Sequence, residues 1–91
     1  MARRSVDQHR KEPDPDDLLA VFAASLKAAR IKQGLTQAQL AARAGLLQQY
    51  VSLVEQGKQN VTLTTAQALA RVLQEDVSDM LRAAAPGRRR K

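Results

Sequence analysis

Three features of these 91 residues predict an all-α fold. Phe22 and Tyr50 are the only aromatic side chains, so a core must be assembled from Leu, Val, Ile and Ala. That palette suits helices better than a sandwich or a barrel. Apolar residues recur at three- and four-residue spacing, as in Tyr50, Val51 and Val54, which marks amphipathic helices. Capping residues and glycines punctuate these runs.

The runs define five helices. Residues 1–16 mix both charge signs, hold one branched apolar residue and end in Pro13-Asp14-Pro15, so they are expected to form a disordered arm. Asp16 or Asp17 caps the first helix, whose apolar face is expected to hold Leu18, Leu19, Phe22, Leu26 and Ala29 until Gly34 stops it. Thr36, with Gln39 three residues on, forms a capping box for the second helix, which ends at Gly45. A third helix starts near Leu47 or Gln48 and stops before Gly57. Thr62 caps the fourth, with a stripe of Leu63, Ala66, Leu69, Ala70 and Leu73. Asp76 and Asp79 give a capping-box-like start to a short fifth helix carrying Val77, Met80 and Leu81. Pro86-Gly87 closes a domain expected to span 17–85, and 86–91 form a basic tail.

A chain this short buries only ~60% of its unfolded surface, so its stability would be modest without help. The absence of cysteine excludes disulfides and thiolate metal sites, and no apolar run is long enough for a signal peptide or a membrane span. A soluble protein of the cytoplasm, associated with the nucleoid, is the expectation. One histidine, no glycine-rich phosphate loop and no carboxylate pair flanking an apolar pocket argue against an enzyme, and neither cofactor nor metal is expected. His9 lies in the arm without a ligand partner, and Met80 lies on an apolar stripe.

The net charge of +6 resembles a nucleic-acid signature, but its location weakens that argument. Residues 1–16 balance four basic against four acidic side chains, 17–85 carry seven against five, and 86–91 carry four basic and none acidic. DNA binding must therefore be argued from a motif. The motif is Ala41, Gly45 and Val51. A small residue lets the next helix cross closely, a glycine makes the turn, and a β-branched residue packs the second helix back. This is the spacing of a DNA-binding helix-turn-helix, against the alternative of an ordinary helical hairpin with a glycine turn.

Arg30 before Gly34-Leu35-Thr36-Gln37, then Leu40-Ala41, Ala44-Gly45, Val51-Ser52, Glu55, Gly57, Lys58 and Asn60 together resemble the Cro/phage-repressor (XRE-like) helix-turn-helix family. The resemblance runs from Phe22 to Leu81. It implies a compact five-helix, lambda-repressor-like DNA-binding domain, with helix 3 in the major groove and helix 2 across the backbone.

By this resemblance Gln37 binds a phosphate or braces the first recognition residue. Gln48 and Gln49 match positions that read base edges, and a glutamine amide complements N6 and N7 of adenine. Ser52 would reach a base edge or a phosphate. Leu53 stands where a polar residue is usual and would touch thymine methyls or a protein. Leu47 replaces the usual Ser or Thr cap, a loss of ~1 kcal/mol. Arg30 and Glu55 match a pair that joins helix 1 to helix 3 while the arginine faces a phosphate. Lys58, Asn60 and Arg43 are further phosphate candidates, with a solvated charge the alternative for Arg43.

The tail Arg88-Arg89-Arg90-Lys91 would track phosphates or simply solubilise, and Arg3 and Arg4 form a weaker candidate arm. The expected function is that of a sequence-specific transcription regulator, a repressor, binding a palindromic operator in double-stranded DNA as a homodimer. Val61, Val77, Met80 and Leu81 are the apolar interface candidates. The alternatives are a DNA-binding antitoxin with a toxin partner, motivated by Thr62-Leu63-Thr64-Thr65, and a regulator that has lost DNA affinity, motivated by Leu47 and Leu53.

Overall fold

The computed structural model describes residues 17–82, which fold into five helices: α1 Leu18–Lys32, α2 Gln37–Ala44, α3 Gln48–Glu55, α4 Leu63–Val72 and α5 Val77–Arg82. Readings placed on residues 1–16 and 83–91, including the arm, the tail, His9 and both domain boundaries, lie outside the described residues.

Short-range chemistry sets the helix starts. Asp17 accepts the Ala20 N–H at 3.1 Å. Thr36 and Gln39 form the reciprocal box, with Gln39 N–H donating to Thr36 Oγ1 at 3.0 Å and Thr36 N–H to Gln39 Oε1 at 2.9 Å. Thr62 Oγ1 accepts from the Thr65 N–H at 3.0 Å. Leu47 makes no side-chain cap, as its apolar nature requires. The expected box at α5 closes only by half. Asp76 Oδ1 accepts from Ser78, while the Asp79 carboxylate pairs with Arg82 at 2.6 Å, an aspartate being one methylene shorter than the glutamate or glutamine that reaches back in a capping box.

The helix ends share one device. After α1, α2 and α3 a residue with positive φ reverses the chain, and the next N–H returns to a carbonyl five residues back: Leu35 to Arg30, Leu46 to Ala41, Lys58 to Leu53. Glycine supplies the left-handed residue at Gly34, Gly45 and Gly57, but α4 uses Gln74, at φ 59. A side chain in that region costs ~1–2 kcal/mol relative to its preferred conformations. Gln74→Gly is therefore expected to raise the unfolding midpoint by roughly 4–8 °C, the equivalent of ~1 kcal/mol for a domain of this size. A thermal melt with no rise would mean that the exposed Gln74 side chain makes contacts that offset the strain.

The core is built from all five helices: Phe22, Leu26 and Ala29 of α1, Leu40 and Ala41 of α2, Val51 and Val54 of α3, Ala66, Leu69 and Ala70 of α4 with Leu73 beyond it, and Met80 of α5. Small residues at Ala29, Ala41, Ala66 and Ala70 let the backbones approach. α1 packs on α3 and α5, and α2 on α3 and α4. Two side-chain bonds to main chain lock distant parts together, Ser25 Oγ to Met80 O at 2.7 Å and Gln33 Nε2 to Leu73 O at 3.2 Å.

On α1 the apolar stripe differs from expectation. Leu18 is 59% exposed, whereas Val21 and Ala23 are buried. Leu18 is the first residue of α1, and the helical period tells which face a residue shares but not how far along that face its partners reach. Likewise Leu63 is 79% exposed at the first position of α4. Met80, offered above as an interface residue, is 2% exposed and belongs to the core. Val61, Val77 and Leu81 are half-buried against that core.

Candidate nucleic-acid interface

One buried carboxylate fixes the direction of α3. Glu55 is the last residue of that helix, and its side chain is only 2% exposed. Arg30 grips it with two bonds, Nε to Oε2 at 2.7 Å and Nη2 to Oε1 at 3.0 Å. Gln37, the first residue of α2, adds a third from Nε2 to Oε1 at 3.0 Å. The remaining terminal nitrogen of Arg30 donates to Leu35 O at 2.8 Å, in the connection between α1 and α2. The Glu55 hydrogen bond is the main influence that holds the Arg30 guanidinium above its ordinary pKa, outweighing the lowering effect of burial, with the Glu55 charge adding to the rise.

This arrangement joins three helices at a single point. Gln37 braces the carboxyl end of α3, because Glu55 presents an acceptor that its amide N–H can reach. Glu55 thereby also explains why so polar a residue can sit inside: three donors replace its water.

With Val51 and Val54 fully buried, the helical period turns Gln48, Gln49, Ser52 and Leu53 away from the core. Gln48 and Gln49 are exposed at its amino end, and Ser52 and Leu53 are half-buried one turn later. Ser52 Oγ accepts from Gln56 Nε2 at 3.1 Å, and a hydroxyl that accepts retains its own O–H donor. Tyr50 packs on the core and donates through its hydroxyl to Asn60 O at 3.2 Å, holding the loop that carries Lys58 and Asn60 close to α3. Lys58, Asn60 and Arg43 all have exposed side chains.

Charge is distributed more favourably than the near-balance of the domain suggests. Between Asp17 and Glu75 the only acid is Glu55, and it is consumed internally. Over that stretch the chain carries Lys27, Lys32, Arg43, Lys58 and Arg71 with no other acid, while Glu75, Asp76 and Asp79 gather around the start of α5, where they share grooves with Arg71 and Lys32. Net charge by segment missed this polarity, although the spacing of acids along the chain records it. The same acids line an open groove of about 690 Å³ between α4 and α5, with Leu63, Arg71 and Val77. Among the described residues no cluster of His, Asp or Glu is arranged to hold a metal, and no helix is long and apolar enough to cross a membrane.

A helix-turn-helix with a latched second helix and an outward polar face invites comparison with known proteins. The Helix-turn-helix family model matches residues 26–80. The chain belongs to the helix-turn-helix family, of the Cro/repressor type. A hypothetical transcription factor from Neisseria meningitidis is 38% identical to this helix-turn-helix chain over 61 residues, 67% of this chain and 58% of that protein, so the chain spans less than two-thirds of that relative's length. Its crystal structure aligns with a TM-score of 0.74 at 33% identity, covering 79% of this chain and 81% of its own. Control protein C.SmaI from Serratia marcescens is 36% identical over 73 residues, 76% of this chain and 87% of that one. The restriction-modification controller protein C.Esp1396I, a tetramer in complex with its natural 35-base-pair operator, aligns with a TM-score of 0.65 at 27% identity, covering 70% of this chain and 88% of its own. This helix-turn-helix chain shares the fold of the Neisseria transcription factor and of the C.Esp1396I controller.

Resemblance alone suggested the Arg30–Glu55 pair, and the structure forms it. It also brings Gln37 to that pair, which no local signal in the sequence announces. Gln48 and Gln49 stand together at the exposed head of α3, with Ser52 and Leu53 behind them. Missed altogether were the Gln33 and Ser25 locks and the Tyr50–Asn60 bond. The glutamine and serine types hinted at polar contacts, but their partners lie 40 and 55 residues away.

Proposed function

We propose that this helix-turn-helix protein is a sequence-specific transcription regulator, acting as a repressor, that binds a palindromic operator as a homodimer and places α3 in the major groove. Gln48 and Gln49 would read bases, with Ser52 and Leu53 behind them. Lys58, Asn60 and Arg43 would grip phosphates, and Gln37 would use its remaining carbonyl and backbone N–H near the same strand. Arg30 has three of its five N–H groups committed inward, so its share of phosphate contact is the smaller part of its work.

The observation that carries this reading is the latched orientation of α3. Holding Glu55 from two other helices leaves the amino end of α3 projecting with two exposed amides and no acid beside them. Such a head suits a groove lined with hydrogen-bonding base edges and flanked by phosphates. Dimerisation follows from economy, since one eight-residue helix offers too few base contacts for useful specificity. Half-sites would lie one helical turn apart, roughly 34–36 Å. The operator-bound tetramer of C.Esp1396I supports both DNA binding and assembly in this reading. A cytoplasmic, nucleoid-associated, non-enzymatic domain over 17–85, flanked by an arm and a basic tail, completes the proposal.

Selection from random DNA duplexes by the purified protein, at two salt concentrations, tests it. The expected result is an enriched palindrome whose binding weakens as salt rises. Absence of any enriched sequence, with only salt-sensitive binding that disappears on removal of residues 86–91, would refute the regulator and leave DNA contact to the tail.

A further inference from the structure

Two adjacent leucines at the entry to α3 have different fates. Leu46 is half-buried and packs against the core. Leu47 is 76% exposed and occupies the N-cap position without capping anything. A serine there would accept an N–H bond from Gln49 or Tyr50, so the leucine forgoes a cap and also leaves a large apolar side chain in water. Neither packing nor local hydrogen bonding compensates within the described chain.

The chemistry of the rest of the α3 face narrows what Leu47 meets. Guanine is read most often by Arg or Lys at O6 and N7, and cytosine by an acid at N4. The outward residues of α3 are Gln48, Gln49, Ser52 and Leu53, with Gln56 just beyond it and no charge among them, and Glu55 is sequestered by Arg30 and Gln37. Amides complement adenine, and apolar side chains complement the thymine C5-methyl. Leu47 directly precedes Gln48, at the end of the helix that faces base edges in this motif.

We propose that Leu47 is a specificity-determining residue that packs on a thymine methyl, and that the half-site read by α3 is built mainly from A·T pairs. This rests on the reading of α3 as the recognition helix. The missing cap is then the cost of a base contact. Leu47→Ser exchanges one for the other, so the variant should fold more stably while discriminating less.

The test takes the duplex enriched by the wild-type full chain and replaces single thymines with uracil, which removes only the methyl group. Wild-type binding is expected to fall about three- to fivefold at one thymine per half-site, the worth of burying one methyl. Leu47→Ser should melt at a higher temperature and bind the thymine and uracil duplexes equally. An enriched palindrome whose half-site core is G·C-rich, or wild-type binding indifferent to uracil at every position, would overturn this assignment while leaving the regulator intact. Failure to enrich any sequence would overturn both.

Discussion

Replacing Arg30 with alanine is expected to destabilise the fold by about 3–5 kcal/mol, the usual consequence of stripping a buried ion of its partner. The Glu55 side chain is 2% exposed, so its carboxylate would be left with Gln37 alone. Set against the roughly 0.05–0.15 kcal/mol per residue typical of natural domains, that loss removes a large share of the total. Urea denaturation should show the midpoint falling at an unchanged slope. Replacing both partners, Arg30→Met with Glu55→Leu, should cost far less than either single change, because no orphaned charge remains. If the double variant is as unstable as Arg30→Ala, packing of the arginine stem and not the ion pair holds this corner. The raised pKa of Arg30 has a defined sign: its contribution is fully present below the ordinary arginine value and disappears only as pH rises through the higher folded one. The arginine therefore adds no pH dependence to stability near neutrality.

On the preferred duplex, Gln48→Ala and Gln49→Ala are each expected to lose ~1–3 kcal/mol of binding and to relax discrimination at one base position. Their binding to random DNA should scarcely change. Lys58→Ala should weaken cognate and random DNA alike and reduce the slope of log affinity against log salt by about one. The distinction follows from geometry, since both glutamines stand on the exposed head of α3 and Lys58 lies in the loop beyond its other end. Titrations of the three variants on both duplexes at several salt concentrations separate the two roles. Equal losses on both duplexes for all three would refute the division of labour. None of these side chains takes part in the core, so the variants should melt close to wild type.

Much of the architecture was legible without coordinates because its signals are local. Thr36 with Gln39, Thr62 with Thr65, and Gly34, Gly45 and Gly57 each act within a few residues, where the chain is already confined and little entropy separates signal from structure. The apolar period likewise placed Leu26, Leu40, Val51, Val54 and Leu69 inside. The same rules misjudged Leu18 and Asp79. Whether a stripe is covered depends on how far the neighbouring helices reach along it, and an aspartate is one methylene shorter than the side chain a capping box requires.

The amino-acid sequence by itself determined five helices, their ends, the glycine turn between α2 and α3, and the identity of the residues exposed at the head of α3. Only the tertiary structure decided that Glu55 is buried, that Gln37 serves it as a third donor, and that Met80 is core while Leu47 is not. The reason is physical. Glu55 meets Gln37 across 18 residues and Arg30 across 25, and a charge can be buried only where separate helices deliver enough donors to replace its water.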